Sequence, residues 1–422
     1  MVAESGQGVS FAACHGAGCQ GCGSSMSGFH TQDAPDSEQG VVDTVQAAVA
    51  RRETLRIEGN ATKAAMLRPV RADRVLSTRH LAGITLYSPN EMIISARPGT
   101  PIDVLEAALA EHRQILIAEP PDLRHMLCSG EAQTLPQTLG GLVATNLAGP
   151  RRIQYGSFRD HVLGVRAVNG RGELIHSGGR VLKNVTGLDF SKLLTGSFGT
   201  LGVLTEITLK VLPAEETVGT LVLPCPSPEQ AVRLLSAGLG SPFGVTGAAW
   251  VEHLDAACGP AALLRIEAFA PSAHYRLEKL QAMLGGHLFG HEESVTLWRD
   301  VRDVCFLTQA PTDAIWRVSV APSAGPAIAS AARQSGGGVQ MDWGGGLVWI
   351  SAPANVETHH ALTLAVASVK GSWALMRAPD AMRQAVDVIP PEPAALARLG
   401  AGVREAFDPY GLFNRGRMRL VS

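Results

Sequence analysis

The sequence has no excess of charge of either sign, no long apolar run and no ordered set of cysteines. Thirty-six Lys and Arg stand against 38 Asp and Glu, a net charge of −2 at pH 7. That balance leaves out the basic footprint a nucleic-acid partner requires. No apolar run approaches the ~20 residues that span a bilayer, so no transmembrane segment is expected. The first residues lack the basic-then-apolar pattern of a secretory leader, and secretion is not expected. The seven cysteines are scattered and odd in number, which points to a reducing compartment rather than a disulfide framework. The expectation is a soluble cytoplasmic protein. Its 422 residues, 45% hydrophobic and 18% charged, suit two or three domains with a sizeable core.

The standard nucleotide fingerprints are absent as well. Three glycine-bearing turns are present: Thr138-Leu139-Gly140-Gly141, Asn169-Gly170-Arg171-Gly172 and the run from Gly196 to Gly202. Glycine lets main chain approach a ligand closely, so such turns suggest amides aimed at something. The last turn has the spacing G-x-x-G-x-x-G and leads into an alternating run, Val203 to Val211, that reads as a strand. A dinucleotide fingerprint needs G-x-G-x-x-G opening a helix. The Rossmann reading therefore fails. No G-K-(S/T) is present, so there is no Walker loop either. Upstream, Leu55-Arg56-Ile57 reads as a strand running into Gly59, Asn60, Ala61, Thr62 and Lys63. A turn at that point can present consecutive amides to an anion.

The ordered segments Arg56 to Lys63, Thr138 to Gly141, Asn146 to Gly149, Tyr155 to Val162 (YGS-x-x-D-x-V) and Gly196 to Glu206 (G-S-x-G-x-L-G-x-V-T-E) carry a resemblance. They resemble the FAD domain of the p-cresol methylhydroxylase and vanillyl-alcohol oxidase (PCMH/VAO) family, most nearly the E-subunit type of bacterial glycolate oxidase. The end of the chain, from Phe407 to Arg417, is similar to the family's closing F-D-P-x-G-x-(F/L)-N-P-G-R, with Arg415 in place of proline. The resemblance implies an α+β protein. A two-subdomain FAD-binding domain is expected over residues 36–214. An α+β cap with an antiparallel sheet follows over 215–395, and the segment 396–422 returns to the FAD domain. Residues 1–35 are expected to be a disordered extension. Their Cys14, Cys19 and Cys22 have a C-x4-C-x2-C spacing, but no other ferredoxin signal surrounds them, and Met26 stands as an alternative start.

The family's FAD contacts map onto Gly59, Asn60, Ala61, Thr62, Lys63, Pro136, Thr138, Leu139, Gly140, Gly141, Thr145, Asn146, Gly149, Ser157, Arg159, Asp160, Gly199, Thr200, Leu201, Gly202 and Val203. The flavin is expected to be non-covalent, because the pyrophosphate loop offers no histidine and Cys128 has no matching context. Relatives that oxidise D-2-hydroxy acids carry an H-x-G-D-G-N-x-H-like segment in the cap. The corresponding segment here, Gly338 to Leu347, contains no histidine. His359 and His360 are adjacent in an expected helix and point about 100° apart, a poor chelate. His287 and His291 sit beside glycines in an expected loop. Both pairs read as solvated, and no metal site is expected. Arg317, Trp343, Arg377 and Asn414 are candidate neighbours of the ring or substrate.

Three functions stay open. The first is an FAD-binding subunit of a glycolate oxidase complex, working with a second flavin subunit and an iron–sulfur subunit on glycolate. Such a subunit is cytoplasmic, or held to the inner membrane through its partners. The second is a self-sufficient FAD-linked oxidoreductase of a small hydroxy acid or polyol, and the third a flavin-free scaffold.

Overall fold

A computed structural model describes residues 31–179, 188–254 and 259–420. Cys14, Cys19 and Cys22 lie outside those residues. The N-terminal half is built on two small sheets. Leu55–Glu58 and Thr31–Asp33 flank Arg74–Ser77 in a parallel three-stranded sheet. Ile84–Ser88, Ile93–Ala96, Val203–Lys210, Val162–Val168 and Leu174–Gly178 form an antiparallel five-stranded sheet in that order. The helix Glu38–Arg51 packs Val41, Val45 and Ala48 against Leu55, Leu76, Val168 and Val203. Ser37 caps it by accepting the Gly40 amide, which supplies one of the acceptors a helix start lacks.

Two turns are fixed by side-chain bonds. Ahead of the helix Ile102–Ala110, whose N-cap is Pro101, the Thr100 hydroxyl donates to the Arg97 carbonyl and accepts the Gly83 amide. In the segment Tyr155 to Val162 only the last residue belongs to a strand. Ser157 and Asp160 cap each other, the Asp160 carboxylate accepting the Ser157 amide at 2.7 Å and its hydroxyl at 2.8 Å. That reciprocal cap closes one turn of helix over Phe158–His161.

The C-terminal half is one antiparallel eight-stranded sheet, ordered His287–Phe289, Thr217–Pro224, Ala261–Ala268, Gly247–Val251, Gly338–Asp342, Leu347–Ala352, Ala314–Ser319 and Ser372–Arg377. Trp250, Met341, Val348, Val318 and Trp373 stand in one register row, and Val251, Gln340, Trp349, Arg317 and Ala374 in the next. Successive rows point to opposite faces. The first row belongs to the large core together with Ala231 and Leu235 of the helix Pro228–Leu239, Ile328 and Ala332 of Gly325–Gln334, and Leu362 of Val356–Ser368. His359 is on that helix too and is not solvated as its sequence suggested. It is buried, accepting the Trp316 indole N–H at 3.2 Å and meeting Trp373 edge-on. Burial pushes its imidazole below the ordinary range, toward the neutral form. Nor do His287 and His291 share a loop: the first lies in a strand and the second opens the helix His291–Arg302.

The second face of the sheet turns toward the N-terminal half. Arg265 there holds Glu119 through two bonds of 2.8 and 2.9 Å, and Arg151 holds Glu267 at 2.6 Å. All four groups are largely shielded from water, with side-chain exposures of 2% to 15%. The chain end closes the structure. The helix Ala394–Phe407 leads to Leu412, Phe413 and Asn414, which lie along Leu55 through main-chain bonds of 2.8 Å (Leu55 amide to Leu412) and 3.0 Å (Asn414 amide to Leu55).

Candidate functional site

The strand Leu55–Glu58 stops where Ala61 takes a left-handed conformation, φ 55°. The turn leaves five successive amides, Gly59 to Lys63, without an acceptor among the described residues. Amides converging through such a turn make an anion nest. Around it runs a groove lined by Glu58, Thr138, Gly141, Thr145, Phe198, Asn414 and Arg417, among others. Gly59 has to be glycine here: a Cβ would fall 2.4 Å from Thr138 Oγ1. The loop is pinned from behind. Asn60 donates to the Pro136 carbonyl at 2.9 Å, Lys63 Nζ to Gln137 Oε1 at 2.6 Å, and Arg417 to the Lys63 carbonyl at 2.8 Å.

Its electrostatics favour an anion. Burial brings the Lys63 ammonium down to about 8. Burial, then the nearby cations Arg383 and Arg56, brings the Arg417 guanidinium to about 9. Cations held below their ordinary range gain from an arriving negative charge. Asn414 closes the far wall. Its Oδ1 accepts the Ile57 amide at 2.9 Å, and its Nδ2 donates to the Phe198 carbonyl at 2.8 Å, tying chain end, first strand and glycine turn together. Phe198 and Asn414 both have positive φ, 54° and 40°, a conformation that costs energy in non-glycine residues and persists where packing enforces it.

The sequence candidates divide by position. Gly59, Asn60, Ala61, Thr62, Lys63, Thr138, Gly141, Thr145 and Asn414 line the groove. Leu139 and Gly140 turn away, since Leu139 is buried in the core and their amides already bond Thr100 and Pro98. Leu201 and Val203 are core residues too. Gly199 fits beneath Asn414 Nδ2, 2.8 Å from where its Cβ would be, and Thr200 bonds back to the Ser197 carbonyl. Asn146 accepts the Arg159 amide at 2.9 Å. Gly149 is a packing glycine, its absent Cβ being 2.3 Å from the Glu119 carbonyl. Ser157 and Asp160 are engaged with each other, as above. Among the four ring or substrate candidates, only Asn414 reaches the groove. Arg377 instead bonds the main-chain carbonyls of Met126 and Asp313. Arg317 and Trp343 meet elsewhere, the guanidinium carbon 5.1 Å from the indole centroid.

Phe198 and Arg417 were missed. Arg417 was readable only as the last residue of the closing motif, and Phe198 sits at a variable position of the glycine turn. Cys128 donates its thiol to the Thr62 carbonyl at 3.2 Å, and burial pushes it up to about 11. That holds it as a neutral, weakly nucleophilic thiol.

The FAD binding domain family matches residues 33–178. Over 383 residues the chain is 33% identical to the glycolate oxidase subunit GlcE of Escherichia coli (strain K12), spanning 91% of this chain and 97% of that protein. The chain belongs to the GlcE family. Its FAD-linked oxidoreductase relatives also include the glycolate oxidase subunit GlcD of Bacillus subtilis (strain 168), 32% identical over 36% of this chain and 30% of that one. The D-lactate dehydrogenase of Archaeoglobus fulgidus is 32% identical over 39% of this chain and 34% of its own length. In fold the chain is similar to alkyldihydroxyacetonephosphate synthase, with a TM-score of 0.64 at 16% identity over 91% of this chain and 75% of that one. The architecture is therefore the PCMH/VAO type and the cofactor FAD. For a GlcE-family chain the groove fits the group: amides without an acceptor among the described residues, and lowered cations for the pyrophosphate.

Proposed function

We propose that this chain is the FAD-carrying subunit of a glycolate oxidase assembly, taking part in the oxidation of glycolate to glyoxylate beside a second flavin subunit and an iron–sulfur subunit. The division of labour is residues 36–214 with 396–422 for the cofactor and 215–395 for the cap. The observation that carries the reading is the row of five amides from Gly59 to Lys63 that find no acceptor among the described residues of a GlcE-family chain. In this reading the amides, Thr62 and Lys63 hold the pyrophosphate, while Thr138, Gly141, Thr145 and Asn414 line its approach. In the same reading Asn146, Arg159, Thr200 and Gly202 serve the rest of the flavin, while Pro136 acts through Asn60. Bound FAD supplies a two-electron acceptor. The chain's own part is to bind and orient it, and the absence of histidine between Gly338 and Leu347 leaves the proton-accepting chemistry to the partner. No helix among the described residues is long and apolar enough to cross a membrane, so attachment to the inner membrane falls to the partners of a cytoplasmic chain.

Two measurements test this. Acid-precipitated chain should release all its yellow colour to the supernatant, because Cys128 is a half-buried, neutral thiol and the loop has no histidine. Colour kept in the pellet would mean a covalent flavin. In anaerobic mixing, the isolated FAD-loaded chain should not bleach with glycolate or D-lactate within seconds, whereas the assembled complex should. General base catalysis is worth ~10²–10⁴ in rate, and its absence predicts that contrast. Rapid bleaching of the lone chain would favour the self-sufficient oxidoreductase.

A further inference from the structure

The two halves meet at Glu119 and Arg265, and again where the Trp343 indole N–H donates to the Gly149 carbonyl at 3.0 Å. A third junction lies behind the anion nest. The chain leaving the nest does not stay in the FAD-binding half. Met66 and Leu67 are buried in the large core that also holds Leu375, Met382 and Val386. The Leu67 amide donates to the Leu375 carbonyl at 3.0 Å, with Leu67 held at φ 58°.

Two arginines cross this junction in opposite directions. Arg383, on the cap helix Asp380–Ala385, donates to the Ala65 and Leu67 carbonyls, both at 3.0 Å. Arg68, from the loop, donates back to the Arg383 and Gln384 carbonyls at 3.0 and 2.9 Å. In each, Nη1 takes the carbonyls and Nη2 faces an acidic side chain, Asp380 for Arg383 and Asp387 for Arg68. Both arginines are buried, whereas those carboxylates are 59% and 63% exposed. Exposed carboxylates contribute little, so main-chain carbonyls do most of the holding, and the rigid guanidinium plane fixes the path of the chain it bonds. Neither arginine is among the residues that line the groove.

We propose that Arg68 and Arg383 are positioning residues for the cofactor: they clasp the loop to the cap helix, so that the nest keeps its shape only while the cap is docked. The nest amides end at Lys63, and the clasp begins two residues later at Ala65. A segment that short cannot shift at one end and keep its amides convergent at the other. Coupling between two binding events is reciprocal. Cap docking strengthens the hold on FAD, and bound FAD steadies the cap helix by the same factor. The inference rests on the placement of FAD at Gly59 to Lys63 set out above.

The first test needs no substitution. In amide hydrogen exchange of the full-length chain, peptides covering 379–388 should exchange at least about tenfold more slowly with FAD bound than after its removal. Equal exchange in the two states would overturn the clasp. The second test is FAD retention on ultrafiltration. Arg383→Met should weaken it about tenfold or more, from the loss of charge-assisted bonds, and should abolish the protection of 379–388 by FAD. Arg383→Lys separates position from charge, because it keeps the cation without the rigid plane. It should fall between wild type and Met. Retention equal to wild type in either variant would overturn the proposal. Arg68→Met carries the same expectation and serves if Arg383→Met does not fold. Gly59→Val keeps the two readings apart. Flavin lost from it but kept by Arg383→Met sinks the clasp alone, whereas flavin kept by Gly59→Val sinks the placement of the cofactor on which the clasp rests.

Discussion

Glu119→Ala is expected to lower the unfolding free energy by about 3–5 kcal/mol, the usual cost of stripping one partner from a buried ion pair. The pair's own net value is far smaller, because forming it already required both charges to leave water. Removing the carboxylate leaves Arg265, only 2% exposed in its side chain, facing Trp298 with Glu267 as its remaining counter-charge, shared with Arg151. Burial alone would raise the Glu119 carboxyl, yet Arg265 and Arg151 outweigh it and hold the group well below the usual range. The charge is therefore committed at every working pH. Because Glu119 belongs to the N-terminal half and Arg265 to the large sheet, the loss should also loosen the junction at which Trp343 sits. A denaturant titration of the FAD-loaded chain reads the effect, and an unchanged midpoint would show that the network contributes nothing. Glu119→Gln, which keeps part of the hydrogen bonding, should cost less than Ala.

The second large effect falls on the cofactor. Gly59→Val should weaken FAD retention roughly tenfold to a hundredfold, from the ~1–3 kcal/mol that overpacking a close contact costs. A single Cβ would already stand 2.4 Å from Thr138 Oγ1 and 3.2 Å from its Cβ and Cγ2. The Thr138 side chain cannot retreat freely, because its Oγ1 caps the helix Leu139–Thr145 by accepting the Gly141 amide. The turn must open instead, and the five amides lose their convergence. Ultrafiltration of the purified variant, compared with wild type at equal protein, measures retained FAD. Stoichiometric flavin in the variant would show that the nest is not where the cofactor is held.

The sequence by itself determined a good deal of this protein. The spacing of its last glycine turn, with a strand after it, was enough to exclude a Rossmann fingerprint, and the ordered motifs from Arg56 to Glu206 carried the resemblance to an FAD domain of the PCMH/VAO type. Glycine, having no Cβ, leaves a position-specific mark wherever main chain must come close, as at Gly59 beside Thr138. The closing motif at Asn414 was legible for a related reason: one residue, through Ile57 and Phe198, ties three distant segments together. Histidine absent between Gly338 and Leu347 was equally plain. The tertiary structure decided the rest. It made Leu139 and Gly140 part of the packing rather than the groove, because their amides find Thr100 and Pro98, residues 39 and 42 positions earlier in the numbering. It buried His359 between tryptophans that lie on two different strands. It also brought Arg152 and Arg317, 165 positions apart in the numbering, onto the one indole of Trp343. Local pattern records what a residue needs from its neighbours in sequence. Which charges meet, and which are left without a partner, depends on pairings between strands far apart in the chain.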